Sequence, residues 1–580
     1  MFEKNLESLE KVNKSLANKI RKVNLAEVSA HIKAVKNEKG EYILTRDNKY
    51  VDDTPSPLES AKNVYSESVK TAFSRHDFIV IFGLGLGNLL DYTHNKSMCS
   101  LILYEPDINI LRFTFEYVDL TKYFADGRLY ISNNLVECTN YIEQKYLLDD
   151  KVEFVYLKNY VLQHPSEFTV LTERIFEACK SKIIDMNTTK ELSKFWVNNT
   201  FSNLSGNDIH YPINLLENQF KGKTALVLGA GPSLADNIEK IKENRDKFVI
   251  FAVHRTLETL RQHDIVPDFC VAVDTRWVKY SITNDTKYLS EVNVIADIKA
   301  DNYLKKLPFK NFFTYYSQNS SFSSMLATKL PNEIKILQTG GTSTICAYRC
   351  AKYLGCKNII FAGIDLAFRD DTAYCDGQIV TANTQTSVKI KNIVRETTTV
   401  KSITGEYVTT RADYASFIRQ FELLFVQDKT SELYNLTTFG AFINGMKYAQ
   451  LEEILENISA ESSNTDEIIK NTIQQNSNLP EKIRKVSVEI LREEKQKIQQ
   501  IVDLTNEWFE MYSEHPNYFD YAAKILTKIT STMILQEFIQ IELIKFSKLI
   551  FSKDDNAKKE FLLEVFKNIL SYDKSLYNLI

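Results

Sequence analysis

The chain has 580 residues, a formal net charge of −4, 44% hydrophobic residues and 25% charged residues. These are ordinary globular values, and a chain of this length predicts about three domains rather than a single core. No basic block is present, which argues against nucleic-acid binding because that requires clustered Lys and Arg. No run of about 18 apolar residues and no apolar signal segment occurs, so we expect a cytoplasmic protein with no membrane partner.

A first glycine motif follows an N-terminal stretch that has the pattern of helices and a small strand pair. The apolar run 78–82 enters the glycine-rich turn 83–87, and a second apolar run ends in Glu105. This layout is typical of a Rossmann-like fold, in which the turn approaches a ligand and the acid accepts hydrogen bonds from ribose hydroxyls. The glycines also allow close packing of a strand against a helix without any ligand. We therefore expect a first Rossmann-like α/β domain over 1–205, with a motif that resembles that of methyltransferases that use S-adenosylmethionine.

A second glycine motif, Leu228-Gly-Ala-Gly-Pro-Ser-Leu234, lies between an apolar run and a helical pattern. A strand, a glycine turn and a helix in this order present backbone N–H groups to a phosphate. Further apolar runs predict a mostly parallel, doubly wound sheet and hence a second Rossmann-like domain over 206–445. The predicted strands are Ala225–Leu228, Phe248–Val253, Phe269–Val273, Val292–Ile295, Phe312–Tyr315, Lys335–Leu337 and Asn358–Ala362.

Polar residues follow the ends of these strands, whereas the strand bodies are apolar. They are Gly229 and Gly231 after the first strand, His254 after the second, Asp274 and Arg276 after the third, Asp297 and Lys299 after the fourth, and Asp365 after the last. Because ligands bind at the carboxyl ends of the strands in such sheets, we expect one polar site along this edge.

A third glycine-rich stretch, Gln338-Thr-Gly-Gly-Thr-Ser-Thr344, precedes another helical pattern. Thr342 or Ser343 is a suitable cap for that helix, and its first N–H groups offer a further place for an anion. The Thr-rich residues 380–445 predict a lid or hairpin near the same edge.

Residues 446–580 have the apolar spacing of a helical bundle and form a third predicted domain. The predicted fold class is therefore α/β, with two Rossmann-like domains and a C-terminal helical bundle. The eight cysteines are scattered without a paired motif, so we expect buried thiols and no metal site.

Taken as a set, the central motifs resemble those of bacterial sialyltransferases, which use CMP-activated sugars. The motifs are Leu228-Gly-Ala-Gly-Pro-Ser-Leu234, Thr342-Ser-Thr344 and Gly363-Ile-Asp365. The three-part order of the chain is similar to that of the motility-associated factor (Maf) glycosyltransferases. This resemblance implies transfer of a nonulosonic acid, of the pseudaminic or legionaminic type, from its CMP form to Ser or Thr hydroxyls of flagellin. It also implies that the reaction takes place in the cytoplasm and needs no metal or other cofactor.

The resemblance also implies roles for individual residues. The donor would be bound by Gly229, Gly231, Pro232, Ser233, Arg276, Gly340, Thr342, Ser343 and Gly363. The catalytic candidates are Asp274, Asp365, Tyr374 and His254, and Tyr374 would assist the departing phosphate.

The sequence departs from the sialyltransferase pattern at the catalytic base. Those enzymes use a His well after the Gly-Ile-Asp segment, whereas this chain has no His between His263 and His515. Either His254 takes that role, or a carboxylate does. The candidate carboxylates are Asp274, Asp365 and Asp376.

Three other functions stay open at this point. A pterin diphosphokinase that uses ATP shares the Gly-Pro-Ser-Leu domain, although such enzymes lack the flanking domains. A non-catalytic flagellin-binding protein would keep the central domain as a relic. A methyltransferase would act through the glycine-rich turn 83–87.

Overall fold

The computed structural model describes residues 1–147, 149–205, 210–318, 320–338, 341–369, 397–458, 464–511, 518–549 and 555–576. The chain divides into two compact units. The first unit comprises Met1–Thr189 and Ile544–Ser552, and the second comprises Lys190–Leu543 and Lys553–Ile580. The predicted division into three domains remains a prediction.

The first unit contains an antiparallel three-stranded sheet and a parallel four-stranded sheet. The antiparallel strands are β1 (Ile32–Lys36), β2 (Tyr42–Arg46) and β3 (Lys49–Tyr50). The parallel strands are β4 (Phe78–Phe82), β5 (Ser100–Tyr104), β6 (Leu129–Ser132) and β7 (Val152–Tyr156), in the order β6-β5-β4-β7. All five residues of β4 are buried, as expected for a central parallel strand covered on both faces.

Helices cover the parallel sheet of the first unit. They are Phe2–Glu10, Lys14–Arg21, Leu25–His31, Pro57–Ser68, Asn88–Lys96, Ile108–Tyr117, Thr121–Phe124, Leu135–Lys145 and Lys158–Gln163. A long helix, Pro165–Ser205, begins in this unit and ends in the second.

The second unit is built on nine parallel strands. They are β8 (Tyr211–Pro212), β9 (Thr224–Leu228), β10 (Val249–Val253), β11 (Phe269–Ala272), β12 (Asn293–Asp297), β13 (Asn311–Tyr315), β14 (Asn358–Ala362), β17 (Glu432–Asn435) and β18 (Lys447–Tyr448). Their order is β18-β17-β14-β9-β10-β11-β12-β13-β8. The chain moves outward from β9 to β13 and then returns to place β14 on the other side of β9, so the topological switch point lies between β9 and β14.

Helices cover both faces of this sheet because its strands carry apolar side chains on both faces. Helix Ser233–Glu243 packs Leu234 and Ile238 on one face. Helix Ser343–Tyr353 packs Ile345 and Cys350 on the other. The remaining helices between strands are Leu257–Gln262, Thr286–Leu289, Ser321–Lys329 and Ala412–Gln427, with short 3-10 turns at Ile213–Leu216, Arg245–Lys247, His254–Thr256, Val278–Tyr280 and Asn302–Lys306.

The chain after β18 is helical. The helices are Leu451–Asn457, Thr465–Gln475, Leu479–Met511, Tyr518–Thr530, Met533–Phe538, Gln540–Leu549 and Asp555–Leu576. Within the described ranges, every helix is too short or too polar to cross a lipid bilayer.

The predicted α/β class, with parallel sheets and a C-terminal helical region, is confirmed. Of the seven strands predicted for the second sheet, six are present and Lys335–Leu337 is wrong, since only Leu337 makes an isolated bridge, to Ser317. The expected hairpin is present as β15 (Thr397–Lys401) and β16 (Tyr407–Arg411). Residues 380–396 of the predicted lid lie outside the described residues.

Candidate active site at the carboxyl edge of the nine-stranded sheet

The two glycine turns at the switch point pack directly against each other. The Gly229 N–H donates to Ala362 O at 2.8 Å, and the Gly231 N–H donates to Gly363 O at 2.8 Å. A side chain on Gly229 or Gly231 would collide with the backbone of Gly363, whose own φ is +71°. Pro232, which follows, carries no N–H. These glycines are therefore explained by the close approach of two backbone turns.

The Asp365 carboxylate stabilises this arrangement through two hydrogen bonds. Its Oδ2 accepts the Ser233 N–H at 2.8 Å, and its Oδ1 accepts the Thr437 hydroxyl at 2.6 Å. Its side chain is 1% exposed. Burial raises its pKa, and the Ser233 and Thr437 hydrogen bonds oppose that shift. The sequence predicted that the N–H groups of this turn would meet a phosphate, but at Gly229, Gly231 and Ser233 they are donated to acceptors of the protein itself.

The next two strand ends bring His254 and Asp274 together. His254 Nε2 lies 3.4 Å from Asp274 Oδ2 and 3.1 Å from Ser281 Oγ. The imidazole is 1% exposed, whereas the Asp274 side chain is 41% exposed. Burial, with a smaller contribution from Arg255, lowers the pKa of His254 to about 4, although Asp274 and Asp301 oppose the shift. The imidazole is therefore neutral at about pH 7.

An exposed aromatic rim adjoins Asp274. The Arg276 guanidinium lies 4.1 Å from the ring centroid of Trp277 and 5.4 Å from that of Phe195, and it pairs with Glu191 at 3.4 Å. Trp277 is exposed and has a φ of +66°, a backbone conformation that is uncommon for a large side chain. Strain of this kind is often found at functional sites.

The helix Ser343–Tyr353 begins at the same edge, because its other end leads into the start of β14. The Thr342 hydroxyl accepts the Ile345 N–H at 3.2 Å, as expected for the predicted cap. Ser343 is half-buried at the first turn. Gly340, Tyr374 and Asp376 lie outside the described residues, so their predicted roles stay predictions.

Several residues that shape this edge were not singled out from the sequence. They are Ser281, Thr437, Trp277 and Glu537. Glu537, from helix Met533–Phe538, accepts the Ser321 N–H, and burial raises its pKa. Its position is set by tertiary packing alone, whereas Trp277 had a detectable signal because it is a rare residue just after a strand end.

In the first unit, a carboxylate of the protein itself lies against the glycine turn. Asp52 accepts the N–H groups of Leu44, at 2.8 Å, and Leu86, at 3.2 Å. A side chain on Gly85 would overlap the Asp52 carboxylate. Glu105, predicted to accept from ribose hydroxyls, is 0% exposed and is bonded to three protein donors instead. The donors are Leu84 N–H, Asp107 N–H and the Tyr160 hydroxyl.

Comparison with known proteins gives three findings. A family model described as 6-hydroxymethylpterin diphosphokinase MptE-like matches residues 198–371. An uncharacterized protein of Treponema pallidum (strain Nichols) is 28% identical over 172 residues, which are 29% of this chain and 81% of that protein. The Maf glycosyltransferase from Magnetospirillum magneticum AMB-1 is 13% identical, with a TM-score of 0.61 over 99% of this chain and 95% of that one. The predicted resemblance is therefore confirmed for the fold: the whole chain folds like a Maf glycosyltransferase around an MptE-like segment.

Proposed function

We propose that this chain is a glycosyltransferase that moves a nonulosonic acid from a CMP-activated donor to Ser or Thr hydroxyls of flagellin. The observation that carries the proposal is the open carboxyl edge of the nine-stranded sheet. There a capped helix start, at Thr342, shares one edge with an exposed carboxylate, that of Asp274. A glycosyl transfer needs both kinds of group, one for the leaving phosphate and one for the acceptor hydroxyl.

The start of helix Ser343–Tyr353 is suited to the donor phosphate. Its first-turn N–H groups and the Ser343 hydroxyl are donors, and the helix dipole favours negative charge at this end. When the bond between the anomeric carbon and the phosphate oxygen breaks, negative charge grows on the CMP phosphate. Donors fixed at that position stabilise this charge more than water does.

The Arg276 guanidinium supports an acidic sugar as the transferred group. Nonulosonic acids carry a carboxylate, and a guanidinium matches a carboxylate with two parallel N–H donors. The Arg276 guanidinium lies near the Trp277 and Phe195 rings, its side chain is 25% exposed, and that of its partner Glu191 is 70% exposed. An exposed ion pair is weak and exchanges readily for a better carboxylate.

A pterin diphosphokinase is the second candidate, because the MptE-like model matches residues 198–371. Such an enzyme would transfer a diphosphate from ATP to a hydroxymethylpterin and release AMP.

The experiment that tests the proposal is a transfer assay with the purified chain. Flagellin is incubated with CMP-pseudaminic acid or CMP-legionaminic acid, and a parallel reaction contains ATP, Mg²⁺ and 6-hydroxymethylpterin. We expect release of CMP and a gain of sugar mass on flagellin by intact mass spectrometry. Release of AMP in the parallel reaction, without sugar transfer, would favour the kinase. Co-elution with flagellin without any sugar transfer would favour the non-catalytic binding protein.

A further inference from the structure

We propose that Asp274 is the general base that takes the proton from the acceptor hydroxyl, and that His254 is a positioning residue that holds the Asp274 carboxylate. This inference rests on the proposed glycosyl transfer. It assigns within that reaction a role that the sequence left open between an imidazole and several carboxylates.

Exposure separates Asp274 from Asp365 and Asp297, two other carboxylates of this edge. Asp365 is 1% exposed, and both of its carboxylate oxygens accept hydrogen bonds from the protein. Asp297 is buried, and its Oδ1 accepts the Lys299 N–H at 2.8 Å. Asp274 is different, since its side chain is 41% exposed. A base must come within hydrogen-bond reach of the hydroxyl that it deprotonates, and of these three carboxylates only that of Asp274 reaches solvent.

His254 does not meet this requirement. Its ring is 1% exposed, and its Nδ1 is buried with no hydrogen-bond partner in the part of the chain that the structure describes. The polar contacts of the ring are therefore made through Nε2, to Asp274 and to Ser281. The nearby carboxylate favours a proton on Nε2, which is hydrogen-bonded to Ser281 Oγ and lies 3.4 Å from Asp274 Oδ2. Arg255 and Asp301 also face the ring.

The sheet sets the spacing between Asp274 and the switch point. Asp274 follows β11 and the Gly229 turn follows β9, with β10 between them. Neighbouring strands are about 4.8 Å apart, so these two strand ends are separated by about 10 Å. Helix Ser343–Tyr353 packs across the same three strands. A phosphate bound at the start of that helix therefore lies at the same edge of the sheet as a hydroxyl held by Asp274.

The step balances without a metal or a further reactant. The acceptor O–H proton passes to an Asp274 carboxylate oxygen as the acceptor oxygen forms a bond to the anomeric carbon. The bond from that carbon to the phosphate oxygen breaks, and its electron pair leaves with CMP. Asp274 then returns its proton to solvent, which its exposure permits.

The test compares Asp274→Asn with Asp264→Asn in the transfer assay on flagellin. Asp264 is a matched control, because it is an acid of the same unit with an 86% exposed side chain and a φ of +55° that Asn also adopts. We expect Asp274→Asn to lose transfer by about 10²–10⁴-fold, the usual contribution of a general base. CMP affinity, measured by isothermal titration, is expected to be unchanged in both variants, which shows that Asp274→Asn is folded.

The role of His254 is tested by separating kcat from KM. In His254→Leu the Asp274 carboxylate loses its polar neighbour, and we expect kcat to fall by about 10–100-fold while KM for flagellin and the CMP affinity stay unchanged. His254→Gln retains a side-chain N–H donor and is expected to restore much of kcat. A merely structural histidine would lower stability or CMP affinity together with the rate, and His254→Gln would not restore kcat.

The outcomes separate this inference from the proposed function. Transfer by the wild-type chain that persists in Asp274→Asn would overturn the base assignment and leave the glycosyltransferase in place. A wild-type chain that neither binds CMP nor transfers sugar would overturn both. Loss of transfer in Asp274→Asn with normal CMP binding supports both.

Discussion

Each of the two units ends an inner strand of its parallel sheet in a glycine turn, and each closes that turn with a carboxylate of its own. In the first unit Asp52 accepts the Leu86 N–H, and in the second Asp365 accepts the Ser233 N–H. The units differ at the neighbouring strand ends. Glu105 of the first is 0% exposed, whereas the Asp274 side chain of the second is 41% exposed. A glycine motif therefore predicts a turn, and exposure of the polar groups at the neighbouring strand ends distinguishes the two units.

The largest expected effect comes from placing a side chain in the closed turn. Gly85→Ala adds a methyl against the Asp52 carboxylate at a backbone φ of +51°, and we expect a loss of about 2–5 kcal/mol of stability. Gly127→Ala is the matched control, because its φ is +71° but nothing lies within 4 Å of the added carbon. Thermal unfolding followed by circular dichroism measures both. Equal losses in the two variants would show that the Asp52 contact is unimportant.

The pH dependence of stability is the next effect and belongs to the first unit. Burial raises the pKa of both Asp52 and Glu105 to about 7. The folded unit therefore binds more protons than the unfolded chain between the ordinary carboxyl values and about pH 7, so the stabilisation is present at low pH and is lost as the pH rises through 7. The expected slope approaches about 1.4 kcal/mol per pH unit for each group. Urea unfolding across this window should show a smaller slope in Glu105→Gln, and an unchanged slope would contradict the assignment.

A smaller effect is expected at the open edge. Ser343→Ala removes a hydroxyl at the start of helix Ser343–Tyr353 and should weaken CMP binding by about 10–100-fold, as for a hydrogen bond to a charged group. Stability should be unaffected because Ser343 does not cap the helix. Ser324→Ala is the control, since that residue is exposed on a helix of the same unit. Isothermal titration with CMP measures both variants, and equal affinity in Ser343→Ala and wild type would remove this residue from the donor site.

The smallest effect is expected for the cap itself. Thr342→Val keeps the shape of the side chain and removes the oxygen that accepts the Ile345 N–H. We expect a loss of about 1 kcal/mol in stability, as for other helix caps. Thermal unfolding measures the loss. No change in stability would mean that the helix start is held by other contacts.

Much of the fold was predictable because the strands of the second sheet are continuous apolar runs. β17 and β18 were missed, since both are short and contain polar residues. Helix Ala412–Gln427 was also missed, although its buried residues Ile418, Phe421 and Phe425 have helical spacing. The flanking Thr-rich segments, which do form a hairpin, masked that signal.

The site was less predictable than the fold. Asp274 and Asp365 both follow a strand end, and the sequence gives no reason to distinguish them. The Asp365 carboxylate accepts a hydrogen bond from Thr437, a residue 72 positions further along the chain. Asp52 lies 34 positions before Leu86, whose N–H it accepts. Contacts of this range depend on the complete fold, which is why the sequence alone left the catalytic base open.

Hydrogen–deuterium exchange of the full chain with CMP and, separately, with S-adenosylmethionine tests the location of the donor site. We expect CMP to protect the helix start 341–347 and the strand end 269–278 of the second unit. We expect neither ligand to protect the closed turn 82–90 of the first unit. Protection of 82–90, with no change at the second-unit edge, would assign the chemistry to the first unit instead.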